Sequence, residues 1–276
     1  MKVEKDKGIL KYILILLSFT FLAVFLLLPL FYIVVTALRD GITGYVQAVT
    51  DAYAVKAALL TIRATFWAVA VNTVVGVAAA WCVTKFAFKG KKLLSTFIDL
   101  PVTVSPIIAG LIYVLTFGRQ GDLYQYLDAW GIQIIFAVPG IVLATIFVTF
   151  PFISRELIPV LTAQGTDEEE AAALMGAGTF TIFRKVTLPH IKWALLYGVV
   201  LCTARAMGEF GAVSVLSGHL RGKTNTLPLY IELLYQGYDF TGAFAASSIL
   251  VIMAVIVLIL RLVLEQKGKK DQERNR

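Results

Sequence analysis

Residues 243–264 read AFAASSILVIMAVIVLILRLVL, with Arg261 the one charge in the run. A bilayer core is about 30 Å thick, and an α-helix needs about 20 mostly apolar residues to cross it. Backbone polar groups must be satisfied internally in lipid, so a run of this length reads as a spanning helix. Working outward along the chain, five more segments meet or approach the same test: about 9–38, 65–84, 97–117, 132–153 and 193–216. The first carries only Lys11 as a charge, and a kink is expected near Pro29 and Tyr32. The third has Asp99, Pro101 and Pro106 near its start. The expected fold class is therefore an all-α membrane protein with six transmembrane helices.

Composition agrees. The chain has 276 residues, 58% hydrophobic and only 16% charged, with a mean hydropathy of +0.80. Soluble domains carry about 45–50% apolar and about 25% charged residues. A disordered chain needs low hydrophobicity and is excluded. Six buried helices in a soluble protein of this size would leave too little polar chain to cover them. A membrane barrel is excluded because its strands alternate rather than run continuously apolar. The first span is too long for a signal peptide and lacks a small-residue cleavage site, so it reads as retained. Cys82 and Cys202 both lie in apolar stretches, as packing residues rather than a disulfide framework or zinc signature.

The net charge of +7 first suggests nucleic acid, but its placement says otherwise. With the N-terminus in the cytoplasm, 18 of the 25 Lys and Arg residues fall in inner segments and six in outer ones. Arg205 lies within the fifth span. That asymmetry puts both termini inside, where basic groups meet anionic lipid headgroups. The charge is a topology signal, and no nucleic-acid partner is expected.

The longest polar interruption is 154–192. It contains Gln164-Gly165-Thr166-Asp167-Glu168-Glu169-Glu170-Ala171-Ala172-Ala173-Leu174-Met175-Gly176-Ala177-Gly178. Thr166 with Glu169 fits a capping box at an acidic helix start, and the Ala run favours helix. Leu188-Pro189 marks a boundary before the fifth span. The pattern predicts a short helix-turn-helix on the inner face, too small to be a domain of its own. The chain thus reads as one transmembrane domain, 1–276, with a cytoplasmic loop at 154–192. Pattern alone allows a solvated linker or a helix that docks in a partner's groove.

Glu170-Ala171-Ala172, then Gly176, then Val186, Leu188 and Pro189 are spaced as in the EAA loop of bacterial ABC-importer permeases, with Val186 where that family has Ile. The resemblance covers nearly the whole chain and is nearest to the W-type subunits of sulfate/thiosulfate permeases. It is carried by Arg205-Ala206-Met207-Gly208-Glu209-Phe210-Gly211, by Ser105-Pro106-Ile107-Ile108-Ala109-Gly110, by Phe150-Pro151-Phe152, and by the outer stretch 217–228. It implies a type I importer topology, in which the EAA loop is the coupling helix that docks into a cytoplasmic ATPase. It also implies a heterodimer with a second sulfate permease subunit and two cytoplasmic ATPase subunits that hold ATP and Mg. An extracytoplasmic sulfate/thiosulfate-binding protein completes the set, in a bacterial cytoplasmic (inner) membrane. The chain itself has no Gly-rich Lys-Ser/Thr phosphate loop, so no cofactor is expected on it and it reads as a transport subunit, not an enzyme.

Arg205 and Glu209 share a helical face. They pair with each other, contact an anion, or serve a gate; an ionisable group in a span must be paired or face a polar cavity. Thr103, Ser105, Thr203 and Ser214 are candidate donors along a pathway. Gly110, Gly208 and Gly211 are candidate points of close helix approach. His219 and Arg221 are candidate contacts for the delivery protein, against a plain surface role. Molybdate or tungstate stays open as the substrate. A stand-alone channel and an intramembrane enzyme are the other classes, and no catalytic or metal-binding set is expected.

Overall fold

The computed structural model describes residues 9–274, with side chains for 10–268. Twelve helices make up the described chain. In order they are α1 (Leu10–Ala37), α2 (Gly41–Thr50), α3 (Ala52–Lys85), α4 (Lys91–Thr103), α5 (Pro106–Phe117) and α6 (Tyr124–Ala129). There follow α7 (Val138–Gln164), α8 (Asp167–Leu174), α9 (Thr179–Met207), α10 (Gly211–Ser217), α11 (Leu227–Gln236) and α12 (Phe240–Arg274). Five of them, α1, α3, α7, α9 and α12, are long and apolar enough to cross a bilayer.

The expected third span, 97–117, is not one straight helix. It divides into α4 and α5, which meet at 107° across Val104 and Ser105. Pro106 has no N–H to continue the ladder and disfavours helical geometry at Ser105, which is extended. The expected fifth span, 193–216, also breaks. Helix α9 ends at Met207, and the short α10 restarts at Gly211.

Helices α3, α7 and α9 form the centre. Gly76 of α3 and Gly198 of α9 close on Ile153 of α7, where an added Cβ would lie 3.2 Å from Ile153 atoms. Beneath the same contact Asn72 Nδ2 donates to Thr149 Oγ1 (2.8 Å) and to the Ile146 carbonyl (3.1 Å). Interhelical hydrogen bonds and close backbones are what hold helices together in lipid, where apolar burial gives no preference. Helix α12 packs on α9 and α11, and α1 lies against α12, with Tyr32 edge-on to Phe244 at 5.6 Å. Helix α10 packs between α5 and α7.

Proline shapes two spans without ending them. A five-residue π turn, Ala23–Leu27, precedes Leu28-Pro29, and another, Phe183–Thr187, precedes Leu188-Pro189. In each, the leucine N–H reaches back five residues, to Ala23 and to Phe183. Widening the turn relieves the clash of the proline ring with the carbonyl four residues earlier. Leu188-Pro189 is therefore an adjustment inside α9 rather than its start. Residues 154–164 likewise continue α7, so the interhelical segment around α8 is shorter than its composition suggests.

Candidate functional site

One end of the helix bundle is built on α8. Asp167, Glu168, Glu169 and Glu170 fill its first turn, where negative charge meets the positive helix end. The expected capping box does not form, and Thr166 makes no side-chain cap. Glu169 turns to other partners. Its Oε1 accepts from Thr187 Oγ1 at 2.6 Å and lies 3.3 Å from Lys85 Nζ. Lys85 Nζ also donates to the Gly165 carbonyl. The side chains of Lys85 and Glu169 are only 5% and 13% exposed, so this is an ion pair withdrawn from water. His190 Nδ1 lies 3.4 Å from Glu168 in a half-exposed contact.

The far end of α8 is a Schellman cap. The Gly176 N–H donates to Ala173 O and the Ala177 N–H to Ala172 O, with Gly176 at φ +84. Ala172 is buried, while Glu170 and Ala171 are exposed. Beyond them Leu174, 91% exposed, stands out with Met175 and Phe180. Val186 and Leu188 are half-buried in or beside the π turn of α9, and Pro189 is exposed.

The second candidate region is the break between α9 and α10. Arg205 Nη1 meets Glu209 Oε2 at 2.6 Å, with the Glu209 side chain 1% exposed and that of Arg205 33%. Glu209 Oε1 accepts from the Ala212 N–H at 2.9 Å. One carboxylate thus bridges the break, holding Arg205 on α9 and the first turn of α10. Gly110 of α5 and Gly211 of α10 are points of close approach, since an added Cβ would meet Ala212 O at 2.7 Å and Pro106 Cβ at 2.9 Å respectively. Gly208 is not such a point, since an added Cβ there would meet only Ala204 O of its own helix, at an ordinary 3.9 Å. Thr103, Thr203 and Ser214 direct their hydroxyls to carbonyls of their own helices. Ser105 is exposed at the α4–α5 break. Asp99 pairs with Arg155 at 2.7 Å, both half-exposed.

At the end of α3 opposite Lys85, Asp51 caps the helix by accepting from Tyr53 N (2.8 Å) and Ala54 N (3.2 Å), and the Tyr230 hydroxyl donates to it at 3.1 Å. Burial pushes the Asp51 carboxyl up. Those three hydrogen bonds and the Arg221 charge outweigh it and hold the group below its ordinary range. The Arg221 guanidinium lies 4.3 Å over the Tyr53 ring. Arg221 is therefore engaged with its own chain, while His219 is exposed at φ +53. Thr224 Oγ1 ties the turn to Ser217 O (2.6 Å), and Thr61 Oγ1 accepts from Leu227 N (2.7 Å).

Sequence reasoning missed Lys85, Thr187, Asn72 and Asp51. The partners of Lys85, Thr187 and Asn72 are remote in sequence, and no local spacing signals them; Asp51 is a local N-cap, legible from an Asp just before a helix-forming run. Among the described residues, no group of three or more His, Cys, Asp or Glu gathers as a metal site.

Long apolar helices, two of them broken, with a short helix held out at one end, define a multi-spanning membrane protein. The chain belongs to the binding-protein-dependent transport system inner membrane component family, whose model matches residues 72–270. It is 48% identical over 264 residues to the sulfate transport system permease protein CysW of Escherichia coli, covering 96% of this chain and 91% of that protein. To the protein of that name from Synechocystis it is 46% identical over 257 residues, covering 93% of each. To sulfate permease 2, chloroplastic, of Chlamydomonas reinhardtii it is 40% identical, covering 96% of this chain and 72% of that one. The fold superposes on a chain of a bacterial ABC transporter that imports the acidic polysaccharide alginate, with a TM-score of 0.77 at 18% identity and 95% of both chains covered. That likeness concerns the fold alone. The protein is a multi-pass inner-membrane transport subunit.

Proposed function

We propose that this chain is one permease subunit of an ATP-driven sulfate and thiosulfate importer and forms half of an alternating-access pathway. The exposed Leu174, Met175 and Phe180 around an acidic helix carry the coupling part of this reading. Such a helix fits an apolar groove with basic residues at its rim. The groove belongs to a cytoplasmic ATPase, one of a pair, that binds ATP and Mg. This chain has no phosphate loop for them. Glu170, Ala171, Ala172 and Gly176 shape the docking helix; Val186, Leu188 and Pro189 lead from it into α9. A second, similar permease completes the pathway, and an extracytoplasmic binding protein delivers the anion near His219.

The near full-length identity to sulfate permeases supports the substrate. The Arg205–Glu209 bridge across the α9–α10 break is the proposed gate element. Ser105, Thr103 and Thr203 lie near the two breaks. A gate there has two states only if substrate or nucleotide binds them unequally.

The test is uptake of labelled sulfate by a bacterial strain without its own sulfate permease, supplied with this chain and its neighbours. The expected result is ATP-dependent uptake, competed by thiosulfate. Uptake of molybdate with no uptake of sulfate or thiosulfate overturns the substrate assignment.

A further inference from the structure

We propose that Lys85 is a positioning residue that locks the docking helix to two membrane spans, so that Lys85, Glu169 and Thr187 act as one transmission joint. The inference rests on the permease reading of α8. Three elements meet at Glu169: the last residue of α3, the first turn of α8, and the π turn of α9. Lys85 reaches past Glu169 to the Gly165 carbonyl, and so holds the turn that leads into α8 as well. Trp81, one turn earlier on α3, sets its ring 5.0 Å from that of Phe183 in the same π turn, tilted by 52°.

Apart from this joint α8 is held by the small buried side chain of Ala172 and is bounded by two glycines. Gly165 at φ +71 precedes it and Gly176 at φ +84 follows it, and neither has an atom within 4 Å of an added Cβ. Both positive-φ positions are ones glycine adopts without steric cost, so the chain turns at each end of α8 without side-chain packing to brace it. The half-exposed Glu168–His190 contact is a weak restraint. A Lys85–Glu169 pair withdrawn from water is a stiff one, because separating the partners leaves a buried charge uncompensated.

The joint feeds two stiff levers. Helix α3 runs 34 residues from Lys85 to the Asp51 cap, and Thr61 there holds the start of α11 beside the outer turn. Helix α9 runs from Thr187 to Arg205 at the break. A push on α8 therefore reaches the outer turn and the gate bridge together. The π turn gives α9 a place to absorb the change.

The experiment uses the whole complex in proteoliposomes and measures labelled sulfate taken up per ATP hydrolysed. Lys85→Met is expected to lower that ratio about ten-fold, the size of an ordinary coupling free energy. Lys85→Arg keeps the ratio. The exchange Lys85→Glu with Glu169→Lys recovers part of it through the restored pair, but not the bond to the Gly165 carbonyl, to which a carboxylate cannot donate. Thr187→Val gives a smaller fall in the same direction, and it decides the matter if Lys85→Met does not assemble. An unchanged ratio in Lys85→Met, or in Thr187→Val where that variant decides, overturns the joint. A second readout needs no transported anion: the change in hydrogen exchange of residues 217–226 when a non-hydrolysable ATP analogue binds. Loss of that response in Lys85→Met supports the joint, and its retention overturns it. If the unaltered complex takes up no sulfate, the substrate reading fails, and the exchange readout still judges the joint.

Discussion

A Cβ on Gly110 would sit 2.7 Å from the Ala212 carbonyl oxygen, and that oxygen belongs to backbone that cannot swing aside. Gly110→Ala must push α5 away from α10. The expected loss is about 1–3 kcal/mol, as for other overpacked sites, read as a lower unfolding temperature of the detergent-solubilised complex. Gly176 differs, because its surroundings are open but its φ is +84. Gly176→Ala is expected to cost about 1–2 kcal/mol through the left-handed backbone alone, and Gly176→Asn less. The second comparison separates strain from crowding, since asparagine is larger than alanine yet tolerates that backbone. Asp51 gives the pH-sensitive member of this set. Its folded pKa is lowered from 3.8. The stability it adds is fully present above that unfolded value and is lost as pH falls through the folded one. Asp51→Asn should therefore unfold at lower temperature than the unaltered chain near neutrality and lose less further stability on acidification. Equal slopes below pH ~4 would remove Asp51 from the account.

Glu209 holds two elements at once, and the two functions can be separated. Glu209→Gln keeps an oxygen for the Ala212 N–H but loses the charge facing Arg205, whereas Glu209→Ala loses both. The alanine variant should be less stable than the glutamine variant by about 0.5–1.5 kcal/mol, the value of one hydrogen bond. Thermal unfolding of both variants measures the difference. Equal stabilities would mean that the carboxylate does not cap α10. Such element boundaries were only partly legible in the sequence. Five spans followed from run length, because a bilayer sets a minimum that those segments meet, and the sixth expected segment is the bent pair α4–α5. The Arg205–Glu209 pairing followed from a four-residue spacing. The breaks did not, since 97–117 stays apolar straight through its 107° bend. What turns the chain there is Pro106 acting with the close approach of Gly110 to α10, a contact between distant segments. Thr166 and Glu169 had the spacing of a capping box, yet Glu169 bonds Thr187 and Lys85. A buried cation from a neighbouring helix outcompetes a backbone N–H that water can satisfy.

At the scale of the whole molecule, α3 links the two ends. Its 34 residues span about 50 Å at 1.5 Å each, more than the hydrocarbon core and about the full bilayer with headgroups. Asp51 and the turn beside Arg221 lie at one end, Lys85 and α8 at the other, so these two regions occupy opposite faces. We propose the α8 face as the cytoplasmic one on charge: the sequence segments assigned to that side hold 18 of the 25 basic residues, and translocation across the membrane selects against Lys and Arg. This assignment is testable by cysteine labelling. Cys82 and Cys202 are the only native thiols, and Cys82→Ser with Cys202→Ala gives a thiol-free background. Lys223→Cys and Lys89→Cys then place one exposed reporter on each side. A membrane-impermeant maleimide should label the Lys223→Cys protein in intact spheroplasts, and the Lys89→Cys protein only after permeabilisation. The reverse pattern would turn the chain over. The docking helix would then face away from any cytoplasmic ATPase, and the proposed coupling would fall with the topology.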